Sequence, residues 1–144
     1  MKTLKQAFLF FIGCALFSGC SPSQGFAPKK IEGSTISFYA TKVAAEEDEL
    51  YLRTNVVYYF KRGGIYENTI DGKIIDRGNY SYRAQSGNQE ASIMFTYMDN
   101  NNNYIYAQNM IFETSTSGTW ALTQTTDPNI KGAEKGSFKV LSQS

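Results

Sequence analysis

From Thr35 onward apolar and polar residues exchange places at every second position, in short runs divided by turn residues. This is the period of a β-strand, whose successive side chains point to opposite faces. Thr35–Val43 places Ile36, Phe38 and Ala40 on one face. Leu50–Lys61 does the same with Leu50, Leu52, Val56, Tyr58 and Phe60, against Arg53, Asn55 and Lys61. Ile65–Ile70 follows a Gly63-Gly64 turn. Asp71-Gly72 is a hairpin signal leading into Lys73–Arg77 and then Asn79–Arg83. Glu90–Met98 sets Ala91, Ile93, Phe95 and Tyr97 against Ser92, Met94 and Thr96. After a polar loop, Asp99–Asn103, Tyr104–Thr114 sets Tyr104, Tyr106, Met110 and Phe112 against Ala107, Asn109 and Glu113. Thr119–Thr126 and Gly136–Leu141 complete the set.

The expected fold is therefore all-β: a single small antiparallel β-barrel or tight β-sandwich of about eight strands. Ten Tyr and ten Phe, with abundant Thr and Ser, agree with it. At most one turn of helix is expected, at Val43–Leu50. A recurring Gly-x-aromatic motif adds curvature. Gly64-Ile65-Tyr66, Gly78-Asn79-Tyr80, Gly118-Thr119-Trp120 and Gly136-Ser137-Phe138 each set a glycine beside a ring on one sheet face. Glycine lets a strand bend, and the ring can cover the bare backbone.

The N-terminus has a different grammar. Lys2 and Lys5 precede an apolar stretch, Ala7 to Phe17, and small residues lead to Cys20. This is the layout of a secretory signal, too short for a comfortable spanning helix. With Phe17-Ser18-Gly19-Cys20 at its end, the segment resembles the lipobox signal of bacterial lipoproteins. Phe11-Ile12-Gly13-Cys14 is a second candidate, but it leaves a short apolar region and an apolar mature start. The resemblance implies a diacylglyceryl group on Cys20, the lipidation site. It also implies membrane attachment through N-terminal acyl chains, each buried methylene contributing about 0.8 kcal/mol. Ser21 after the cysteine resembles the outer-membrane sorting default. The organisation expected is a signal peptide over 1–19, a lipidated N-terminus and flexible tether over 20–32, and the β domain over 33–144.

Around the glycine motifs the chain resembles small lipocalin-like β-barrel domains of bacterial envelope proteins. The segments that carry this are Tyr59–Tyr82, Ala91–Tyr97 and Ile111–Trp120.

Composition narrows the chemistry. There is no histidine, and both cysteines belong to the N-terminal segment, so Ser-His, Cys-His and His-metal sites have no residues to build them. No cofactor and no metal are expected. Glu46-Glu47-Asp48-Glu49 reads as a solvated acidic loop. The run 99–103 has Asp-x-Asn-x-Asn spacing but lacks the Gly and Glu of an EF-hand. Paired carboxylates remain as a route to hydrolysis; Glu67, Asp71, Asp76, Glu90 and Glu113 fall at turns or on polar faces. Loss of Lys2 and Lys5 with the signal turns 14 basic residues into 12, against 13 acidic, a net charge of −1. That is no field for nucleic acid.

Tyr39, Tyr51, Tyr59 and Tyr66 read as opposing the apolar faces of their strands, where amphipathic rings suit a recognition surface. The plainer reading of the same residues is cross-strand aromatic pairing. The function expected is non-enzymatic binding of an envelope protein or a small apolar ligand by a lipid-anchored β domain in the bacterial envelope. The alternatives are a structural or assembly accessory of the outer membrane, and a carboxylate-dependent hydrolase.

Overall fold

The structure, a computed structural model, describes residues 26–43, 52–84, 89–99, 101–128, 130 and 132–143. The signal peptide, Cys20, Tyr51, the acidic run at 46–49 and all but Val43 of the expected helical turn lie outside these residues. The strands are β1 (Thr35–Lys42), β2 (Asn55–Lys61), β3 (Ile65–Ile70), β4 (Lys73–Ala84), β5 (Glu90–Asp99), β6 (Asn102–Phe112), β7 (Ser117–Thr125) and β8 (Lys135–Ser142). Each pairs antiparallel with the next, and β8 pairs with β1 to close a barrel. The choice between barrel and sandwich is settled by that last ladder, which runs from Thr35↔Ser142 to Lys42↔Lys135. The architecture is an all-β closed barrel consistent with a lipocalin-like domain.

Two turns behave as their residues dictate. Asp71 (φ 50°) and Gly72 (φ 75°) both adopt left-handed backbone, as the two-residue hairpin turn favoured by strand twist requires. Asn101 (φ 65°) does the same between β5 and β6. The loop expected over 99–103 is correspondingly shorter, because β5 runs to Asp99 and β6 begins at Asn102. Lys73–Arg77 and Asn79–Arg83, expected as two strands, are one strand that continues through Gly78.

The Gly-x-aromatic motifs interlock in pairs. Tyr66 lies opposite Gly78 across β3 and β4, while the Tyr80 amide donates to the Gly64 carbonyl at 2.7 Å. Gly118 lies opposite Phe138, and Trp120 opposite Gly136, across β7 and β8. In two of the four a ring covers the glycine of the partner motif, Tyr66 over Gly78 and Phe138 over Gly118. A Cβ at Gly78 would sit 3.0 Å from the Tyr66 ring, and one at Gly118 would sit 2.9 Å from the Phe138 ring.

Side-chain alternation turns one apolar face of each strand inward at one end of the barrel. Ile36, Phe60, Ile93, Met110, Phe112, Phe138 and Val140 form the core at the end where β1 and β3 begin and β2 and β6 finish. Residues 27–31, read from the sequence as tether, cap this end. Ile31 is only 1% exposed and belongs to the core, and the Tyr82 hydroxyl donates to the Pro28 carbonyl at 2.8 Å. Gly33 and Ser34 exchange backbone hydrogen bonds with Phe60, which stitches the segment to β2. The folded unit thus begins before residue 33, and this end of the barrel is filled.

Candidate binding cavity

The other end is not filled. A cavity of about 630 Å3 opens among the ends of β1, β3, β5 and β7 and the starts of β2, β4 and β6. It lies within the usual range of small-molecule sites, about 300–1,000 Å3. Its deeper wall is aromatic. Phe38 packs edge-on to Tyr58 (centroids 5.2 Å apart) and to Trp120 (6.2 Å), and Phe95 contacts Tyr58 (5.1 Å) and Tyr66 (5.0 Å). These rings sit at inward positions of five strands, directly above the packed core.

Nearer the mouth the lining becomes acidic. Asp76, Asp99, Asp127 and Glu134 line the cavity, and among the described residues no Lys or Arg does. Three of these carboxylates accept a hydrogen bond from a tyrosine hydroxyl. Tyr66 donates to Asp76 at 2.6 Å, Tyr97 to Asp127 at 2.7 Å, and Tyr106 to Glu134 at 2.6 Å. The strands supply the tyrosines from β3, β5 and β6. The loop between β7 and β8 supplies two of the acids.

Both ends of that loop are held in place. The Thr126 amide donates to the Ile105 carbonyl, the Thr126 hydroxyl accepts from the Ile105 amide, and the Leu122 amide donates to the Glu134 carbonyl. The Asp127 amide in turn donates to the Thr125 hydroxyl at 3.0 Å. Asp127 and Glu134 therefore stand on a braced segment rather than a free one.

Burial, and then the hydrogen bond to Asp76, push the Tyr66 phenol well above its ordinary value of 10. Burial followed by Asp127 does the same to Tyr97, and burial followed by the Glu134 charge does so to Tyr106. All three remain donors at any physiological pH, and each holds its carboxylate in a fixed orientation.

Among the described residues, two buried side-chain polar atoms lack a protein partner. They are the Trp120 Nε1, a donor, and the Asn68 Oδ1, an acceptor, on side chains that both line the cavity. Trp120 is 7% exposed and Asn68 6%. A buried polar group without a partner is costly, and each calls for an explanation such as an ordered water, an ion or a ligand that pairs with it.

The tyrosines singled out from the sequence separate. Tyr39 and Tyr59 lie on the outer face, half-buried and exposed respectively, towards opposite ends of the β1–β2 ladder, and form no common patch. Tyr66 corrects the face assignment. It is 2% exposed, points inward and lines the cavity. The reason is register: Tyr66 pairs with Phe60 across β2 and β3, partners across a ladder share a face, and Ile65, the residue that suggested the other face, lies outside with Lys61.

Of the carboxylates read as solvated, Glu67 is on the outside, where the Lys61 ammonium bonds to it and holds its carboxyl below the ordinary range. Glu90 and Glu113 are exposed, and Asp71 occupies its turn. Asp76 is the exception and faces inward. Asp99, Asp127 and Glu134 were not singled out from the sequence, nor were Tyr97, Tyr106 and Trp120 as site residues. Strand parity carried the signal for several of them. Glu134 shares parity with Gly136, Phe138 and Val140, and Asp99 with Phe95 and Tyr97.

Compared with protein-family models, with curated proteins and with solved structures, the chain matches none.

Proposed function

We propose that this protein is a lipoprotein of the bacterial cell envelope, held at the outer membrane by lipid on Cys20, that binds a small molecule within its barrel and catalyses no reaction. The observation that carries the binding reading is the open cavity of about 630 Å3 above a packed core. A barrel meant only to present its outer surface has no need of an unfilled interior, since each unfilled volume costs packing energy. Tyr39 and Tyr59 on the outer face, by contrast, form no contiguous patch of the kind that marks a protein interface.

The geometry also supports an orientation. Residues 27–31 cap the filled end, so the described chain begins on that side. An anchored barrel then turns its mouth away from the membrane. A second reading, hydrolysis by a carboxylate pair, draws support from the four acids that line the same cavity.

The test begins with fractionation. The wild-type chain is expected in membranes and Cys20→Ser in the soluble fraction; Cys20→Ser retained in membranes after signal processing overturns the anchor. Cys20→Ser, purified without detergent after exposure to envelope extract, is then examined by native mass spectrometry. A stoichiometric non-protein mass released intact supports binding. A mass released as cleavage products supports the hydrolase. Protein mass alone, with no compound from a screen raising the melting temperature, contradicts the cavity's assigned role.

A further inference from the structure

We propose that the cavity takes an uncharged, largely apolar molecule with an acceptor oxygen at one end for the Trp120 indole and a hydroxyl or amide donor at the other for Asn68. This rests on the cavity being a binding site, and adds which chemistry it selects.

The first argument is the position of two atoms. Among the described residues, Trp120 Nε1 and Asn68 Oδ1 are the buried side-chain polar atoms without a partner, and both side chains line the cavity. Asn68 stands on β3 and Trp120 on β7. Those strands are four apart in either direction around the eight-strand circuit, so they face each other across the barrel. A barrel of this size has room for one small ligand. A molecule that pairs with both atoms carries its polar groups at separate ends.

The second argument is what lies between those ends. Trp120 meets Phe38 edge-on, Phe38 meets Tyr58, and Tyr58 meets Phe95, with ring centroids 6.2, 5.2 and 5.1 Å apart. Tyr58 is in turn the cross-strand partner of Asn68. The two unpartnered atoms thus stand at the ends of a continuous run of rings. Stacked or edge-on contact with such rings favours a flat, unsaturated body.

The third argument is the kind of polar group left over. An indole N–H donates only, and an amide oxygen accepts only. The ligand therefore offers one acceptor and one donor. Both anchors are neutral dipoles, and neither offsets the desolvation of a full charge held beside aromatic rings. A ketone or ester oxygen suits Trp120, and a hydroxyl or amide N–H suits Asn68. Each pairing counts for more here than on an open surface, because each atom is otherwise buried without a partner.

The experiment uses isotope-labelled Cys20→Ser and two aromatic scaffolds, naphthalene and biphenyl. Each is offered bare, with a methyl ketone, with a hydroxyl, and with both at opposite ends. Calorimetry gives the affinities, and the indole N–H resonance of the sole tryptophan reports what Trp120 pairs with. On the better-fitting scaffold each group is expected to tighten binding at least about fivefold over the bare ring. Ketone-bearing probes are expected to move the indole proton further downfield than their ketone-free counterparts. Trp120→Phe abolishes the gain from the ketone and keeps that from the hydroxyl, and Asn68→Leu does the reverse. Should either variant fail to fold, the parent protein decides: the indole shift for Trp120, and the loss of affinity when a methoxy group replaces the hydroxyl for Asn68. A carboxylate in place of the ketone is expected to bind more weakly; equal or tighter binding overturns the uncharged class. Equal affinity of all four probes on both scaffolds, or a ketone gain that survives Trp120→Phe, overturns the two-ended pairing while leaving the cavity as a binding site. Failure of every probe to bind overturns both.

Discussion

At Gly118 the absence of a side chain has a steric cause. A Cβ there would lie against the backbone carbonyl oxygen of Ile111 as well as the Phe138 ring, and at Gly136 it would lie against the carbonyl of Tyr39. Backbone cannot move aside as a flexible side chain can. Gly118→Ala is expected to destabilise the barrel by about 2 kcal/mol or more. Gly72→Asn is the contrast, because a Cβ there meets nothing within 4 Å and Asn tolerates φ of 75°. Its effect should stay within about 1 kcal/mol. Denaturant midpoints of the two variants check this, and equal losses would contradict the close-approach account. The motif itself was legible in the sequence. Its pairing was not, because which glycine meets which ring depends on register between strands, which no single segment encodes.

Among the elements, β3, β5 and β6 hold the tyrosines, and β4 with the β7–β8 loop holds their acids, so the three hydrogen bonds cross-link neighbouring and distant parts of the mouth. They also couple stability to alkaline pH. Tyr66 and Tyr106 keep their protons well above 10 in the folded state, whereas the unfolded chain releases them near 10. Below that pH both states are protonated and the coupling is silent. Above it the folded state binds more protons, so stability falls as pH rises, by about 1.4 kcal/mol per pH unit for each tyrosine. Tyr66→Phe should make this decline shallower by one such increment, and should cost roughly 1–3 kcal/mol at neutral pH because Asp76 loses its donor. Urea titrations between pH 8 and 11 measure both. An unchanged alkaline slope would contradict the buried pairing. Strand alternation made most of the interior readable, from Ile36 and Phe38 to Met110 and Phe112. It failed at Tyr66, where exposed Ile65 suggested the wrong face of β3 and only the pairing with Phe60 identifies the right one. It is silent in the β7–β8 loop, where Asp127 is placed by its own bond to Thr125 and by the bonds of Thr126 to Ile105 rather than by a repeat.

At the scale of the whole molecule, the barrel divides into a filled end capped by residues 27–31 and an open end lined by aromatic rings and acids. All-β architecture follows from period and composition alone. The cavity does not, because it is a volume left over after every inward side chain has been placed around a closed circuit, and closure depends on β1 meeting β8. The sole tryptophan of the chain lies on the cavity wall, which makes the claim directly measurable. Trp120 emission is followed while a neutral apolar probe is titrated into Cys20→Ser and into the same protein carrying Val56→Phe, which fills part of the cavity from β2. A saturable one-to-one change in the first protein, weakened at least about tenfold in the second at an unchanged fold, is the expected result. No saturable change, or the same titration in both proteins, would contradict a ligand cavity inside this barrel.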